Sequence, residues 1–184
     1  MRPFPVLETE RLRLRQPASA DVAELTALTN DFAVFDTTGN LPYPYRKADA
    51  IELVERAETH WAEQTALHAI VADRDSGAVR GYALLRFDAG FNTAELGYWI
   101  GTAFAGRGLA TEAAAAVVDY GFGTLAMCRL EAQYLSRNSE SGRVLEKLGF
   151  KQEGLLREAS YKHGYGEDLI VAGLLRHEWL DRLR

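Results

Sequence analysis

The sequence has few of the residues that hold a disulfide, a metal ion or a bilayer span. Cys128 is the only cysteine in 184 residues, which excludes an internal disulfide and a cysteine-based zinc site. The four histidines show no metal-ligand spacing, so we expect no metal. No apolar run reaches the roughly 18 residues of a membrane-spanning helix, and the charged start "MRPFPVLETERLRLR" differs from a signal peptide. These absences predict a cytoplasmic protein without a membrane partner.

Charge of one sign is not concentrated anywhere in the chain. The formal net charge is −5 and no cluster of lysine and arginine occurs, so nucleic acid is not expected to be a direct partner. Hydrophobic residues make up 47% of the chain and charged residues 26%, which is typical of a globular protein. The length favours one domain, over residues 1–184, that buries roughly 70% of its unfolded surface.

Hydrophobic periodicity predicts a mixed α/β fold. "ERLRLRQ" alternates like a strand, and "ASADVAELTALTN" has helical spacing. "KADAIELVERAETHWAEQ" predicts a second helix with an apolar stripe of Ile51, Val54, either Ala57 or Glu58, and Trp61. Three strands follow in "LHAIVAD", "VRGYALLRFD" and "AELGYWIG", and then a helix, a strand, a helix and a two-stranded hairpin. We therefore expect about seven strands in a mixed sheet, with about four helices on its faces.

The last two predicted helices have marked boundaries. One runs from about Leu109 to Phe122 and is stopped by "GFG". The other begins after an asparagine cap at Asn138 and ends at Gly149, with Phe150 as the hydrophobic residue that follows a glycine cap.

The segment "FAGRGLATE" has the chemistry of an anion site. Gly106 and Gly108 can adopt a positive φ and bring bare backbone close to a ligand. They precede an alanine-rich helix, whose first N–H groups and dipole favour a negative charge. Arg107 adds a cation that matches phosphate geometry. The segment predicts a pyrophosphate cradle after a strand, although an ordinary polar turn remains an alternative.

Two other phosphate motifs do not fit. A P-loop requires G-x-x-x-x-G-K-[ST], which the chain lacks. A Rossmann fingerprint requires a third glycine where Thr111 stands, and it opens a parallel βαβ series instead of following antiparallel strands. A nucleotide-binding oxidoreductase is therefore disfavoured.

"AGRGLATEA" resembles the acetyl-CoA loop of the GNAT superfamily of N-acetyltransferases, whose pattern is [QR]-x-x-G-x-[GA]. The resemblance implies a mostly antiparallel GNAT sheet and an acetyl-CoA site, with no metal. Ala105 departs from the usual Gln or Arg and would contribute only its backbone N–H. The implied cofactor-binding residues in this loop are Ala105, Gly106, Arg107, Gly108, Leu109, Ala110 and Thr111.

Later segments resemble the Rim-type branch of the same superfamily. They are "GNLPYPYR", the N-x-x-S and "EKLGF" features of "RLEAQYLSRNSESGRVLEKLGF", and the end "EGLLREASYKHGYGEDLIVAGLLRHEW". This branch acetylates the N-termini of ribosomal proteins and other primary amines. The resemblance implies that Tyr43 and Tyr45 wall the amine site, and His163 is a weaker candidate for the same cleft. The acceptor and the choice between monomer and homodimer stay open.

Glu95 in "AELGYWIG" is the candidate general base. It matches a carboxylate that some members of the family use on this strand, and an amine must lose a proton before it attacks. The alternative is a carboxylate that orders water or binds the amine. The family's strand splays from its neighbour and pairs with the pantetheine arm, so backbone N–H groups near Trp99 and Ile100 would polarise the thioester. Gly97 predicts a bulge or a close backbone approach.

Ser141 is the candidate donor to the leaving thiolate. Many members of the family use a tyrosine at the position of Leu145, which cannot donate, whereas Ser141 matches a serine of the Rim-type branch. A serine near a helix start is also common for capping reasons, and that alternative stays open. Asn138 is expected to cap its helix and to bond the pantetheine arm, and Gly142 to leave room for the cofactor.

The resemblance implies direct attack of the amine without a covalent enzyme intermediate, since Cys128 lies outside the presumed site and is expected to be buried. Glu112 is expected to act only through the helix dipole. A non-catalytic acyl-CoA sensor with the same fold is the alternative function.

Overall fold

The structure, a computed structural model, describes residues 3–39 and 41–184. Met1, Arg2 and Asn40, which belong to the segments "MRPFPVLETERLRLR" and "GNLPYPYR", lie outside the described residues. The strands are β1 (Leu7–Glu8), β2 (Leu12–Arg15), β3 (Ala66–Asp73), β4 (Val79–Asp88), β5 (Thr93–Ile100), β6 (Arg129–Leu135), β7 (Lys151–Lys162) and β8 (Tyr165–Leu175). The helices are α1 (Val22–Thr29), α2 (Phe32–Thr37), α3 (Lys47–Ala62), α4 (Leu109–Asp119), α5 (Ser139–Leu148) and α6 (Arg176–Arg182).

The strands form one sheet in the order β1-β2-β3-β4-β5-β6-β8-β7. Every neighbouring pair is antiparallel except β5 and β6. The predicted mixed α/β class is confirmed, and the order of the predicted elements is kept.

Three short elements, one strand and two helices, are present in addition to the predicted seven strands and four helices. β1 has only two residues, too few for an alternating pattern to be seen. α2 has six residues and starts at Asp31, whose Oδ1 accepts from Ala33 N at 2.9 Å. α6 starts where Glu178 Oε2 accepts from Leu175 N at 3.0 Å. Caps rather than hydrophobic periodicity define both helices.

The apolar stripe of α3 lies elsewhere on the helix than predicted. Ala50, Leu53, Ala57 and Trp61 are its buried residues, whereas Ile51 is 41% exposed. The prediction followed the larger side chains, but the packed face includes two alanines that bring α3 close to the sheet. Trp61 was assigned correctly, and of the two residues left open, Ala57 is the buried one.

A core lies on each face of the sheet. Ala94 and Leu96 of β5 face the core under α4, while Trp99 faces the core under α1 and α3. In α4, Ala113 and Ala114 are fully buried, so small side chains allow this helix to lie close to the sheet.

The regular part of α4 ends earlier than predicted. Its α-helical bonds stop at Asp119, and a π-helical turn covers Tyr120–Thr124. Phe122 remains buried there and stacks on Trp179 of α6 with ring centroids 5.5 Å apart. α5 follows its predicted bounds, with Gly149 at φ +90° and Phe150 buried.

Cys128 is exposed, contrary to the expectation, because it lies in the loop directly before β6, where its Sγ is 3.2 Å from Asn92 O.

In the part of the chain that the structure describes, no helix combines the length and apolar character that crossing a bilayer requires.

The sheet opens between β5 and β6. β5 pairs with β4 along its whole length, but with β6 only at Thr93, Ala94 and Glu95. Beyond Glu95 the two parallel strands separate, and β6 continues on β8 alone. This wedge positions the site.

Candidate active site

A cleft of about 920 Å³ runs through the wedge and reaches both faces of β5. On the face toward α4 it is lined by Leu96, Tyr98 and Ile100 and by residues of the loop before α4 and of α5; we call this the α4 side. On the other face it is lined by side chains of α2, α3, β3 and β4 together with Glu95; we call this the α3 side.

The β5 backbone presents unpaired hydrogen-bonding groups to the cleft. Gly101 N donates to Arg80 O at 2.8 Å, so the register makes positions 95, 97, 99 and 101 the ones that bond β4. The N–H and C=O groups of Tyr98 and Ile100 therefore point away from β4, into the wedge, whereas the N–H of Leu96 faces Glu131 at the last β5–β6 pairing. Ile100 keeps its predicted place as a donor. Trp99 was expected to offer its backbone N–H to the thioester as well, but this N–H points to β4 and the Trp99 side chain is buried.

Gly97 shows no bulge. The β4–β5 register is continuous across it, and an added Cβ would lie 3.6 Å from Leu84 Cβ, an ordinary contact. The glycine instead leaves the floor of the α3 side without a side chain between Glu95 and Trp99.

The glycine turn has the geometry of an anion site. Gly106 has φ +73° and Gly108, the N-cap of α4, has φ +78°. No side chain caps α4, and the N–H groups of its first turn have no partner within the helix. Gly106, Gly108, Leu109, Ala110 and Thr111 all line the cleft. Ala105 lines it too, but its N–H donates to Thr102 O at 3.1 Å, so the contribution expected from that N–H is corrected.

Arg107 does not line this cleft. Its carbonyl accepts from Arg11 Nη1 at 2.9 Å, and its side chain lines a separate cavity of about 330 Å³ with Arg11 and Arg80.

Glu112 forms a salt bridge of 2.6 Å with Arg11. Partial burial raises the pKa of Glu112, but hydrogen bonds from Thr9 and Arg11 outweigh it and hold that pKa below its usual value. Glu112 thus anchors the β1–β2 segment to α4, a role beyond the predicted dipole effect.

Glu95 stands where the wedge begins. It is opposite Arg86 in the β4–β5 register and forms a hydrogen-bonded ion pair with Arg86 Nη2. Its side chain is 30% exposed and lines the cleft, so the carboxylate is held by a guanidinium while it remains accessible.

Ser141 is joined to a tyrosine that the sequence reasoning missed. Tyr98 Oη lies 3.1 Å from Ser141 Oγ and donates to Ser141 O at 3.2 Å. Burial raises the pKa of Tyr98 to about 12, although the hydrogen bond with Ser141 opposes this, so the hydroxyl keeps its proton. The alternation of β5 already placed Tyr98 on the α4 side with Leu96 and Ile100, and that was the available signal.

The cap of α5 is Asn138. Its Oδ1 accepts from Ser141 N at 3.1 Å, as predicted, and its Nδ2 donates to Thr37 O at 3.1 Å. The Ser141 hydroxyl makes no capping bond, which leaves it available to the cleft. Leu145 is buried.

Packing accounts for the glycine at position 142. A Cβ there would lie 3.0 Å from Tyr134 Oη, so the ring of Tyr134 on β6 occupies that space. The cofactor is not needed to explain Gly142.

The α3 side carries a buried chain of hydrogen bonds. His60 Nδ1 lies 2.8 Å from His68 Nε2, and His68 Nδ1 is hydrogen-bonded to Tyr82 Oη. Burial, with the nearby charges of His60 and Arg56, lowers the pKa of His68 to about 4. The three residues of this hydrogen-bond chain and Arg56 all line the cleft.

α2 closes one end of the α3 side. Val34, Thr37 and Thr38 line the cleft there. Lys162 Nζ of the β7–β8 hairpin donates to the carbonyls of Phe35 and Thr38 at the end of α2. A salt bridge of 2.8 Å joins Arg137, next to Asn138, to Asp36.

The aromatic residues expected at the amine site lie away from the cleft. Tyr43 is 48% exposed and packs edge-on against Phe32 at 5.5 Å. Tyr45 is buried in the core under α3. His163 Nε2 is hydrogen-bonded to Asp36 Oδ1 at 2.6 Å on the outer side of α2. None of the three lines the cleft, so the structure does not place them at the amine site that the sequence predicted.

Within residues 3–39 and 41–184, no three histidine, cysteine or carboxylate side chains are grouped to hold a metal ion.

Comparisons with known proteins agree with this geometry. Residues 11–151 match the family model described as an acetyltransferase (GNAT) domain. The uncharacterized N-acetyltransferase YoaA of Bacillus subtilis (strain 168) is 30% identical over 177 residues, which are 94% of this chain and 98% of that protein. The ribosomal protein uS5-alanine N-acetyltransferase of Escherichia coli (strain K12) is 34% identical over 89 residues, 48% of this chain and 46% of that protein.

A solved structure shares the whole fold. The crystal structure of the microcin C7 self immunity acetyltransferase MccE, in complex with acetyl-CoA and AMP, superposes with a TM-score of 0.82 at 21% identity. The match covers 91% of this chain and 93% of that chain.

Proposed function

The chain belongs to the GNAT superfamily of N-acetyltransferases, in its Rim-type branch, and we propose that it acetylates a primary amine on the α3 side of β5, with Glu95 as base. Acetyl-CoA is the co-substrate and supplies the acetyl thioester. The acceptor is the α-amine of a protein N-terminus or the amine of a small molecule. The E. coli relative, which by its name acts on an alanine of a ribosomal protein, supports the first of these. The proposed setting is the cytoplasm.

The observation that carries the proposal is the wedge between β5 and β6. Its α4 side offers the outward-facing backbone groups of Tyr98 and Ile100, which suit the amides of a pantetheine arm. The left-handed glycines and the open N-terminus of α4 suit a pyrophosphate at one end of the same cleft. An extended CoA molecule would thus bring its thioester to the place where the strands separate.

Glu95 is proposed to take the proton of the amine. The α3 side reaches the same point of the wedge, and Gly97 leaves open space beside the carboxylate. An amine is protonated at neutral pH, so Glu95 first holds the ammonium and then accepts a proton, directly or through one water. Arg86 holds the carboxylate in place.

Two sets of donors are proposed to stabilise the negative charge that develops during acetyl transfer. A backbone N–H of β5 that faces the wedge, such as that of Ile100, would stabilise negative charge on the thioester oxygen. The Tyr98 and Ser141 hydroxyls, 3.1 Å apart, form a donor pair on the α4 side that would protonate the departing thiolate.

The direct test is an acceptor screen at saturating acetyl-CoA, read by the release of CoA thiol. The panel contains peptides with free N-terminal alanine or serine, polyamines and small amines, with Cys128→Ser as the background because Cys128 is exposed. CoA release that depends on an amine supports the proposal. Tight binding of acetyl-CoA with no CoA release for any amine would favour the acyl-CoA sensor instead.

A further inference from the structure

The α3 side carries an excess of positive charge that an acceptor amine must meet. The positive charges are the guanidinium groups of Arg56 and Arg86, which line the cleft, and His60 lies one turn from Arg56 on the same face of α3. Among the described residues that line this side, Glu95 is the only carboxylate, and Arg86 already neutralises it. A polyamine, whose second ammonium needs a second carboxylate, would find none here.

The hydrogen-bond chain fixes how His60 meets the cleft. Burial raises the pKa of Tyr82, so its hydroxyl keeps its proton. His68 Nδ1 is the only hydrogen-bond partner of this hydroxyl among the described residues, so we assign Tyr82 as the donor. His68 is neutral because its pKa is lowered, and its single proton is therefore on Nε2, which donates to His60 Nδ1. Because Nδ1 of His60 accepts this bond, the proton of its ring is on Nε2. That atom makes no hydrogen bond within residues 3–39 and 41–184, so it is a free donor.

Arg56 is also available. Its partner is Glu52, one turn away on α3, at 3.3 Å, and the two side chains are 46% and 70% exposed. Such an exposed pair contributes little and can be exchanged for a better anion. Arg56 and His60 thus form a pair of donors with no acceptor of their own in the cleft.

The register gives the distance between this pair and the base. His68, Leu84 and Gly97 lie in one row across β3, β4 and β5. Two strand spacings make roughly 10 Å. His60 sits over His68, at one end of the row, and Glu95 lies next to Gly97, at the other. An acceptor that reaches both has its amine and its anionic group several bonds apart.

From this placement we propose that the acceptor is a small primary amine that carries a carboxylate or phosphate several bonds from the amine, bound by Arg56 and His60. The inference rests on the proposed function. A small molecule is favoured over a protein terminus because Glu95 and the pair of Arg56 and His60 are only roughly 10 Å apart, a distance that a short amine with an anionic end spans.

The experiment compares amines that differ only in their far end. At saturating acetyl-CoA, we would measure kcat/KM for 6-aminohexanoate, 1-aminohexane and 1,6-diaminohexane, and for 6-aminohexylphosphonate to separate phosphate-like from carboxylate ends. We expect the anionic amines to exceed the neutral one by on the order of tenfold and the diamine to be the poorest.

Variants of Arg56 provide the second arm. Arg56→Gln should remove most of the preference, and Arg56→Glu should invert it in favour of the diamine. Lys47→Gln removes the same charge from the exposed start of α3, outside the cleft, and should leave the preference unchanged.

Three results would overturn the inference. One is an equal rate for the three chain ends, another is a preference that survives Arg56→Glu, and the third is turnover of peptides alone. In each case the proposed function would stand, since an amine is still acetylated. If acetyl-CoA binds and no amine in any panel is acetylated, the proposed function itself fails.

Discussion

The two sides of the cleft differ in how the chain builds them. The α4 side comes mainly from two short segments, 104–111 apart from Arg107 and 138–147, together with one edge of β5. The α3 side takes single residues from α2, α3, β3, β4 and β5, which are far apart in sequence and meet only in the folded sheet. A motif can be recognised in a contiguous segment, whereas a dispersed set has no signature before the fold is known.

The difference has a chemical counterpart. The α4 side relies on backbone N–H and C=O groups, which any sequence that keeps the strand and the glycines supplies. The α3 side relies on the side chains of Arg56, His60 and Glu95, which another member of the same fold can exchange. We infer that the α4 side serves the shared co-substrate and the α3 side determines the acceptor.

Removing the carboxylate of the α3 side should have the largest effect. Glu95→Gln keeps the size of the side chain but cannot accept a proton, so we expect kcat to fall by about 10²-fold or more, while the Kd for acetyl-CoA changes little. Steady-state kinetics and calorimetry check this. Glu131→Gln is the matched control, because Glu131 is opposite Glu95 in the β5–β6 register and does not line the cleft. Equal activity of Glu95→Gln and the wild type would remove Glu95 as base.

The α3 side should also make stability depend on pH. The pKa of His68 is lowered to about 4, whereas the unfolded chain takes up a proton near pH 6.5. The contribution is therefore present above about pH 6.5 and is lost as the pH falls toward 4. Between pH 7 and pH 5 the free energy of unfolding should fall by about 2 kcal/mol because of His68.

Urea unfolding at several pH values measures this loss. His68→Gln should be less pH-dependent over the same range, and His177→Gln, at an exposed position of α6, should behave as the wild type. An unchanged slope in His68→Gln would show that His68 does not titrate in this way.

On the α4 side, the glycine turn should govern acetyl-CoA binding. Gly108→Val places a β-branched side chain at φ +78°, which strains the turn and moves the N–H groups at the start of α4. We expect the Kd for acetyl-CoA to rise on the order of tenfold. Gly77→Val, at φ +75° in the β3–β4 hairpin outside the cleft, carries the same strain. Equal loss of binding in both variants would mean that stability, not the turn, is responsible.

The donor pair should have the smallest effect, because a thiolate leaves readily even without a proton. Tyr98→Phe and Ser141→Ala should each lower kcat by a few-fold, and the double variant should lose less than the product of the two, since the hydroxyls form one hydrogen-bonded unit. Ser141→Ala should leave the stability of α5 intact, because Asn138 is the cap. A marked loss of stability with unchanged kcat would give Ser141 a structural role only.

The same contrast explains what could be predicted from the sequence. The strand β5, the turn at Gly106 and Gly108, and the Asn138 cap follow from local rules on periodicity and backbone conformation, and the structure has all three. The 3₁₀ turn in which Ala105 N donates to Thr102 O is local but has no hydrophobic pattern that would reveal it. The β4 partner of the Trp99 N–H, by contrast, depends on the strand register.

Tertiary contacts account for the remaining differences. Tyr45 was expected at the amine site but fills the core under α3, and the space beside Gly142 belongs to Tyr134. Arg56, His60, His68 and Tyr82 did not stand out in the sequence, because their meeting depends on the β3–β4 register and on where α3 crosses it.

The most direct measurement of the central claim is residue-resolved amide hydrogen exchange by NMR across β5, with and without acetyl-CoA. The alternation of the strand supplies its own control, since positions 97 and 99 already bond β4. We predict that acetyl-CoA slows exchange at Tyr98 and Ile100 and leaves Leu96, Gly97 and Trp99, whose N–H groups already bond β6 or β4, nearly unchanged. Equal change at odd and even positions, or no change in β5 at all, would contradict a co-substrate bound along the open edge of this strand.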